Sequence, residues 1–398
     1  MTHPIYFDRI YPNLPIADPA NQAVRNDFAA TFTQKWPDST LSQSGYGSDD
    51  LAAMLVTSQY LQRLALRYGE DVGPCLNGQA ANQINVAKTH FITSMQSAGD
   101  EKAALRAIRI WRGRTALMVA LSDLAGREDM PQQMEWLSEA AQTVLSATIQ
   151  YLFRQTAQRG KIKSFDADLS GCGWTVLALG KLGAGELNFS SDIDLIMLHD
   201  TQHAPFDNWD AVQPFFVAMT RDLIRLLSSA TSDGIGWRVD LRLRPDPGAT
   251  AVSIDLTAAI SYYESIARTW ERAAFIRARP VAGDLALGNS FLEQIQPFIW
   301  RKTLDYTVME DMKTMLRRPP QGNGWRGYNL KTGKNGIRQI EFFTHVLQLV
   351  AGGRHKKLRH RNSLAALDAL AAAKWITIEQ AAALGTAYHQ LRRIEHRL

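Results

Sequence analysis

Cysteine is nearly absent from this chain: its 398 residues include two, Cys75 and Cys172, far apart. Two isolated thiols exclude a disulfide framework and a cysteine-rich zinc cluster, and they suit a reducing cytoplasm. No apolar run is long enough to span a bilayer, so no membrane is expected as a partner. The opening Met1-Thr2-His3-Pro4-Ile5 lacks the basic start and apolar centre of a secretory signal. A strong excess of one charge sign is missing as well. Against 44 Lys and Arg stand 39 Asp and Glu, a formal net charge of +5. That excess is too small and too dispersed to demand nucleic acid, but it suits a small anion such as phosphate or a nucleotide. Internal repeats and low-complexity tracts are absent.

What is present is organised by periodicity, in a length that allows two or three domains. Apolar residues recur at three-and-four spacing over 51–66, 103–124 and 134–153, which predicts helices. Glycine and proline cluster at 69–78 and breakers gather around 127–132, between those helices. From 173 to 284 the pattern alternates strand and helix. Residues 174–179 form an apolar run with strand character. Residues 208–230 predict a helix that begins near Asp210, with Phe215, Phe216, Met219, Leu223 and Leu226 as its apolar stripe. Helical spacing returns at 258–272, and later at 307–316, 336–350, 364–375 and 378–398. The basic, glycine-bearing stretch 317–335 interrupts this last region. The segment from 378 ends without Gly, Pro or another stop signal. The natural polypeptide is therefore expected to continue beyond it.

Residues 180–194 carry the chemistry: Gly-Lys-Leu-Gly-Ala-Gly-Glu-Leu-Asn-Phe-Ser-Ser-Asp-Ile-Asp. Gly180, Gly183 and Gly185 keep side chains away from an incoming phosphate, and Lys181 offers it a charge. The backbone N–H groups of Gly183 and Gly185 are candidate phosphate donors. The stretch is not a P-loop, because Leu182 follows the lysine where Ser or Thr is needed. Gly333-Lys334 fails the same test, with Asn335 next. On a strand, alternate residues share a face, so Asp192 and Asp194 point one way while Ile193 and Leu195 point into a core. Adjacent carboxylates repel unless cations lie between them, and hard oxygen ligands suit Mg²⁺. Asp240 sits on a second strand-like stretch, Arg-Val-Asp-Leu-Arg-Leu-Arg. Alternation places Arg242 and Arg244 on its face, either as phosphate ligands or as partners of the acids. Ser190 and Ser191 are candidates for bonding nucleotide phosphates, with a cap or turn role as the equal alternative. Arg277 and Arg279 read as a surface pair that can also reach the site. Arg338 and Glu341, three apart, read as an ion pair within one helix. A lone Asp-x-Asp is common; strand, Gly-Lys turn, Asp-x-Asp and distal Asp together are far more specific.

That constellation resembles the polymerase-β-type nucleotidyltransferases. The longer string around 180–196 resembles the bifunctional glutamine synthetase adenylyltransferases/adenylyl-removing enzymes. Further matching stretches are 237–245 (Trp-Arg-Val-Asp-Leu-Arg-Leu-Arg-Pro), 262–272, 276–284, 336–342 (Gly-Ile-Arg-Gln-Ile-Glu-Phe) and 391–398. The likeness runs from about residue 173 onward and is weaker before it. The family carries two such units in tandem, and the wording here is that of the N-terminal, adenylyl-removing one. The resemblance implies a predominantly helical α+β fold: a helical region at 1–170, a nucleotidyltransferase catalytic domain at 171–300, and a helical, truncated region at 301–398. It implies Asp192, Asp194 and Asp240 as ligands of two Mg²⁺ ions, with Gly180, Lys181, Gly183, Ser190, Ser191, Arg242 and Arg244 around the nucleotide. It implies phosphorolysis of a tyrosyl-AMP on glutamine synthetase by inorganic phosphate to give ADP, with ATP and AMP as the related nucleotides. Such a reaction needs no base for a phenol, so Asp240 reads as a metal ligand first. A PII signal protein as partner, and glutamine and 2-oxoglutarate as effectors, follow from the resemblance too. Forward adenylylation with ATP, an RNA-directed nucleotidyltransferase and an inert regulatory module stay open as alternatives.

Overall fold

Helices dominate because the apolar stripes demand it, and a computed structural model describes them over residues 19–162, 169–203, 211–302 and 329–397. The chain divides into two compact units, Met1–Val144 with Ala230–Gly236, and Leu145–Ser229 with Trp237–Leu398.

Among the described residues, the regular elements of the first unit are helices. Its helices are α1 (Pro19–Lys35), α2 (Ser48–Leu55), α3 (Gln59–Arg67), α4 (Val72–Leu76), α5 (Ala80–Ser97), α6 (Glu101–Leu124) and the first part of α7 (Met130–Gln158). The stretch 51–66, predicted as one helix, is two. Val56 and Thr57 are β-branched and disfavour helix, and the Ser58 hydroxyl accepts the Leu61 N–H at 3.3 Å to cap a new start. Trp111 fills the core, stacking on Phe91 with ring centroids 5.5 Å apart and donating its indole N–H to the Ala140 carbonyl at 3.1 Å. The fully buried Asp71 is made tolerable by Arg114, whose Nε donates to it at 2.8 Å.

The second unit is built on a small mixed sheet of five strands: β1 (Trp174–Ala178), β2 (Ile193–His199), β3 (Val239–Asp240), β4 (Ser253–Asp255) and β5 (Arg279–Gly283). Their order is β3-β2-β1-β5, with β4 also paired to β2. β1 is buried on both faces, as its largely apolar sequence requires, and lies antiparallel to β2 and β5. β2 pairs in parallel with β3 and β4. A parallel pair needs a crossover, and α9 (Val212–Ser228) supplies the one from β2 to β3; α8 is the short turn Gly180–Ala184. Of the predicted stripe, Phe216, Met219, Leu223 and Leu226 are buried and Phe215 is half-buried. Asp210, where that helix was expected to begin, lies outside the described residues.

Around the sheet lie α10 (Leu256–Ser265), α11 (Thr269–Phe275), α12 (Leu285–Gln294), α13 (Gln296–Ile299), α14 (Ile337–Ala351), α15 (Ser363–Ala372) and α16 (Ile378–Arg397). The span 258–272 is again two helices where one was expected. Glu271 reaches back to accept the Arg268 N–H at 2.7 Å, which starts α11 afresh. One core packs Leu177, Ile196 and Leu198 of the sheet against Tyr263, Phe275 and Phe291; a second joins Ile337, Ile340, Leu367, Leu370 and Tyr388. The helix expected at 307–316 and most of the stretch 317–335 lie outside the described residues. Helices with a small mixed sheet give the predominantly helical α+β fold that was expected.

Gly183 has no room for a side chain. A Cβ there would stand 2.2 Å from the Arg277 carbonyl oxygen and 2.7 Å from that of Ala178, both backbone atoms that cannot swing aside. Gly183→Ala should therefore cost about 1–3 kcal/mol of stability. Urea unfolding followed by circular dichroism checks this, and an unchanged midpoint would mean that the two backbones separate freely.

Candidate active site

The parallel pairing of β2 with β3 sets Asp194 directly opposite Asp240. Asp192 precedes β2 and is exposed, while Ile193 between the two acids is fully buried. The Asp-x-Asp alternation is thus real. Gly180, in the left-handed region with φ 53°, makes room for it: a Cβ there would meet Asp194 Oδ2 at 2.2 Å.

Each outer acid has taken an arginine. Arg238 Nε donates to Asp192 Oδ1 and its Nη2 to the Ser190 carbonyl. Arg242 holds Asp240 with Nε at 3.0 and 2.9 Å from the two carboxylate oxygens, and with its backbone N–H at 2.8 Å. Strand alternation therefore stops at Asp240, where β3 ends and the chain turns back. Arg244, expected on the face of Asp240, donates instead to the carbonyls of Leu241, Pro247 and Thr250 at 3.0, 2.8 and 3.4 Å and staples its own loop.

The electrostatics separate the two facing acids. Burial, then the charge of Asp240, pushes the Asp194 carboxyl up to about 6, while Lys331 pulls the other way. Hydrogen bonds from Arg242 hold Asp240 below the usual carboxylate range, outweighing its burial. The donor chemistry fits a hard divalent cation, because every candidate ligand is a carboxylate oxygen. Among the described residues no three His, Cys, Asp or Glu side chains converge on one point as they stand. To hold an ion, Asp192 and Asp240 would each have to give up an arginine. Arg238 and Arg242 are 55% and 84% exposed, so both side chains are free to swing.

The glycine segment does less for phosphate than its composition suggests. The Gly183 N–H is spent on the Leu179 carbonyl at 2.9 Å and the Gly185 N–H on that of Leu182 at 3.1 Å, so neither is the free donor expected. Gly185, φ 75°, ends the short helical turn α8. Lys181 is turned onto Glu395 of α16, Nζ to Oε1 2.7 Å. Burial and then the charge of Arg392 push its ammonium down to about 8, with Glu395 opposing. Ser191 takes a turn role, its hydroxyl accepting the Asn188 N–H at 3.3 Å; Ser190 is exposed.

Beneath this segment lies a polar network that the sequence reading missed. Arg277 is buried, not half of a surface pair. It donates to Glu341 Oε1 at 3.1 Å and Ser363 Oγ at 2.6 Å, and lies 3.7 Å from Glu186. Glu341 therefore pairs across helices, and the expected partner Arg338 stacks over Phe342 at 4.9 Å. Glu186 accepts the Ser363 N–H at 2.8 Å and the Tyr388 hydroxyl at 2.9 Å. Burial alone would raise the Glu341 carboxyl, but the Arg277 guanidinium holds it below the usual range. One signal was available: Tyr388, Arg392, Glu395 and His396 recur at three-and-four spacing on one helix face. Lys331, whose charge reaches Asp194, had none.

The sheet, with its two facing acids and a third beside them, is a nucleotidyltransferase-type α+β domain. The family model described as glutamate-ammonia ligase adenylyltransferase matches residues 48–294, and that for GlnD PII-uridylyltransferase matches residues 310–398. The chain belongs to the glutamate-ammonia ligase adenylyltransferase family. Relatives named bifunctional glutamine synthetase adenylyltransferase/adenylyl-removing enzyme include those of Xanthobacter autotrophicus (46% identical over 309 residues), Bradyrhizobium sp. strain BTAi1 (47% over 309) and Rhodopseudomonas palustris strain BisB5 (45% over 312). The matches cover 76%, 76% and 77% of this chain, and 31%, 31% and 32% of the relatives. The chain thus spans about a third of their length. No helix among the described residues is long and apolar enough to cross a membrane.

Two outcomes follow from this geometry. Asp194→Asn removes one of two facing acids, so in divalent-free buffer at neutral pH its melting temperature should equal or exceed that of the parent. Its stabilisation by added Mg²⁺ should be lost. Scanning fluorimetry with and without Mg²⁺ checks both; a variant that melts early and still responds to Mg²⁺ would contradict the assignment. Arg277→Met strands Glu341 and Glu186 in the interior and should cost about 3–5 kcal/mol in denaturant unfolding. A near-neutral result would show that water replaces the guanidinium.

Proposed function

We propose that this chain is the adenylyl-removing unit: it cleaves the tyrosyl-AMP of adenylylated glutamine synthetase by phosphorolysis, giving ADP and free tyrosine. The carrying observation is Asp194 opposite Asp240 with Asp192 alongside, the arrangement expected of a nucleotidyl-transfer site. Direction rests on the wording Phe-Ser-Ser-Asp-Ile-Asp, which resembles the N-terminal unit of the family. The exposed Arg238 and Arg242 at the rim add support, since they suit an anionic nucleophile. In this reading residues 171–300 carry the chemistry, and 1–170 and 301–398 flank it.

Asp192, Asp194 and Asp240 would hold Mg²⁺, which would supply charge neutralisation at the phosphoryl oxygens. Arg238 and Arg242, released from the acids, take the inorganic phosphate and orient it. Lys181 offers its ammonium to the phosphate of the AMP group. An oxygen of hydrogen phosphate attacks the phosphorus, the bond to the tyrosine oxygen breaks, and that oxygen takes up the proton that the hydrogen phosphate gives up on becoming the outer phosphate of ADP. Because the nucleophile is already anionic, Asp240 need not act as a base, whereas the forward reaction must deprotonate a phenol of ordinary pKa about 10. Positioning and charge neutralisation carry the rate. A PII signal protein as partner, and glutamine and 2-oxoglutarate as effectors of the whole polypeptide, complete the reading; the match of residues 310–398 to a PII-uridylyltransferase model supports a link to PII. A cytoplasmic location is consistent with the two separate thiols.

The 398-residue chain should release ADP from adenylylated glutamine synthetase supplied with phosphate and Mg²⁺, in step with loss of AMP from the protein. It should not move label from ATP to unmodified glutamine synthetase. Label transfer without ADP release would assign the chain to the forward reaction.

A further inference from the structure

The segment that leads into the acidic cluster is held only in part by its own turns. One turn of α16 holds it at both ends. At the near end, Glu395 takes the Lys181 ammonium at 2.7 Å. At the far end, the other carboxylate oxygen of Glu395 accepts from Asn188 Nδ2 at 2.8 Å, and Arg392 donates to Asn188 Oδ1 at 3.0 Å and to the Glu186 carbonyl. Arg392 and Glu395 also pair with each other at 2.7 Å, so neither can shift alone. The ring of His396 lies 4.5 Å from that of Phe189, three residues before Asp192. Arg392 is fully buried and Asn188 nearly so, which makes these contacts expensive to break.

We propose that Arg392 and Glu395 are positioning residues for the active site: they fix the segment 181–189 and so set where Lys181 and the Asp192–Asp194 pair meet the substrate phosphates. This rests on the adenylyl-removing reading for its substrate, though the contacts do not depend on the direction of transfer. Glu395 has a second effect. It is the carboxylate that keeps the buried Lys181 charged, so a phosphate entering the site meets an ammonium.

The test uses the 398-residue chain with Glu395→Gln, an isosteric change at a partly exposed side chain, and Arg392→Lys, which keeps the charge but loses the simultaneous reach to Asn188, Glu186 and Glu395. Each variant should lose about tenfold or more in kcat with adenylylated glutamine synthetase and phosphate. The melting temperature of Glu395→Gln should stay near that of the parent. Lys181 is charged below its pKa, so kcat/KM should fall on the alkaline side of about 8 in the parent. Without its carboxylate the ammonium titrates lower, so that limb should move to lower pH in Glu395→Gln. In Lys181→Arg it should vanish, because guanidinium stays protonated. The double change Lys181→Ala with Glu395→Gln should lose less than the two single losses combined, because the contact between Lys181 and Glu395 is counted in both. An unmoved limb together with additive losses would overturn the proposal. Calorimetric titration with ADP gives a readout independent of direction, and Glu395→Gln should weaken ADP binding several-fold. If the parent binds ADP but releases none from adenylylated glutamine synthetase, the functional reading fails while the positioning role stands or falls on that titration. If the parent is active and both variants match it, the positioning role alone fails.

Discussion

Burying an arginine between two glutamates decides how the second unit is assembled. Arg277 sits just before β5, Glu341 on α14 and Glu186 in the glycine segment, and Ser363 and Tyr388 bring in α15 and α16. A buried charge is costly unless its partners are all in place, so the five elements are either together or all disfavoured. Apolar packing fills the two cores but is tolerant of small shifts. The ionic network is not, and it lies directly under the segment that enters the acidic site.

The acidic site is managed by the opposite strategy. Two of its acids are paired with side chains at the surface: Arg238 and Arg242 neutralise Asp192 and Asp240 while remaining exposed. Ion pairs of this kind contribute little to folding. Their value is that they can be exchanged, so repulsion among three carboxylates is relieved without a permanent commitment of any of them. Rigid polar contacts below and replaceable ones above give a firm floor with an open rim.

Much of this was legible in the sequence, for identifiable reasons. Strand β1, the Asp-x-Asp alternation and the stripe of α9 depend on short-range periodicity, which one sequence carries in full. The two helices mistaken for one at 51–66 and at 258–272 fail because a capping Ser58 and a back-reaching Glu271 outweigh continuous apolar spacing. Arg244 was misplaced because alternation was extended past Asp240, where the strand ends. The glycines were read for a ligand, although Gly183 answers to the backbone at Arg277, almost a hundred residues away. The role of Arg277 was invisible for the same reason: its partners, Glu186, Glu341 and Ser363, are adjacent only after folding. The three-and-four stripe from Tyr388 to His396 was legible, but as a face and not as what it faces.

The two-residue strand β3 has a consequence for how this sequence can change in length. Asp194 meets Asp240 at the second of only two register pairs, at the end of a crossover. In a strand the side-chain period is two, so gaining or losing one residue next to Asp240 would turn its carboxylate to the opposite face. So short a strand would lose almost no pairing energy in the process, and folding would not report the error. Length variation near β3 should therefore be filtered by chemistry alone. Such variants would be well-folded proteins with one acid pointing away, and abundance in a cell would not distinguish them from working ones.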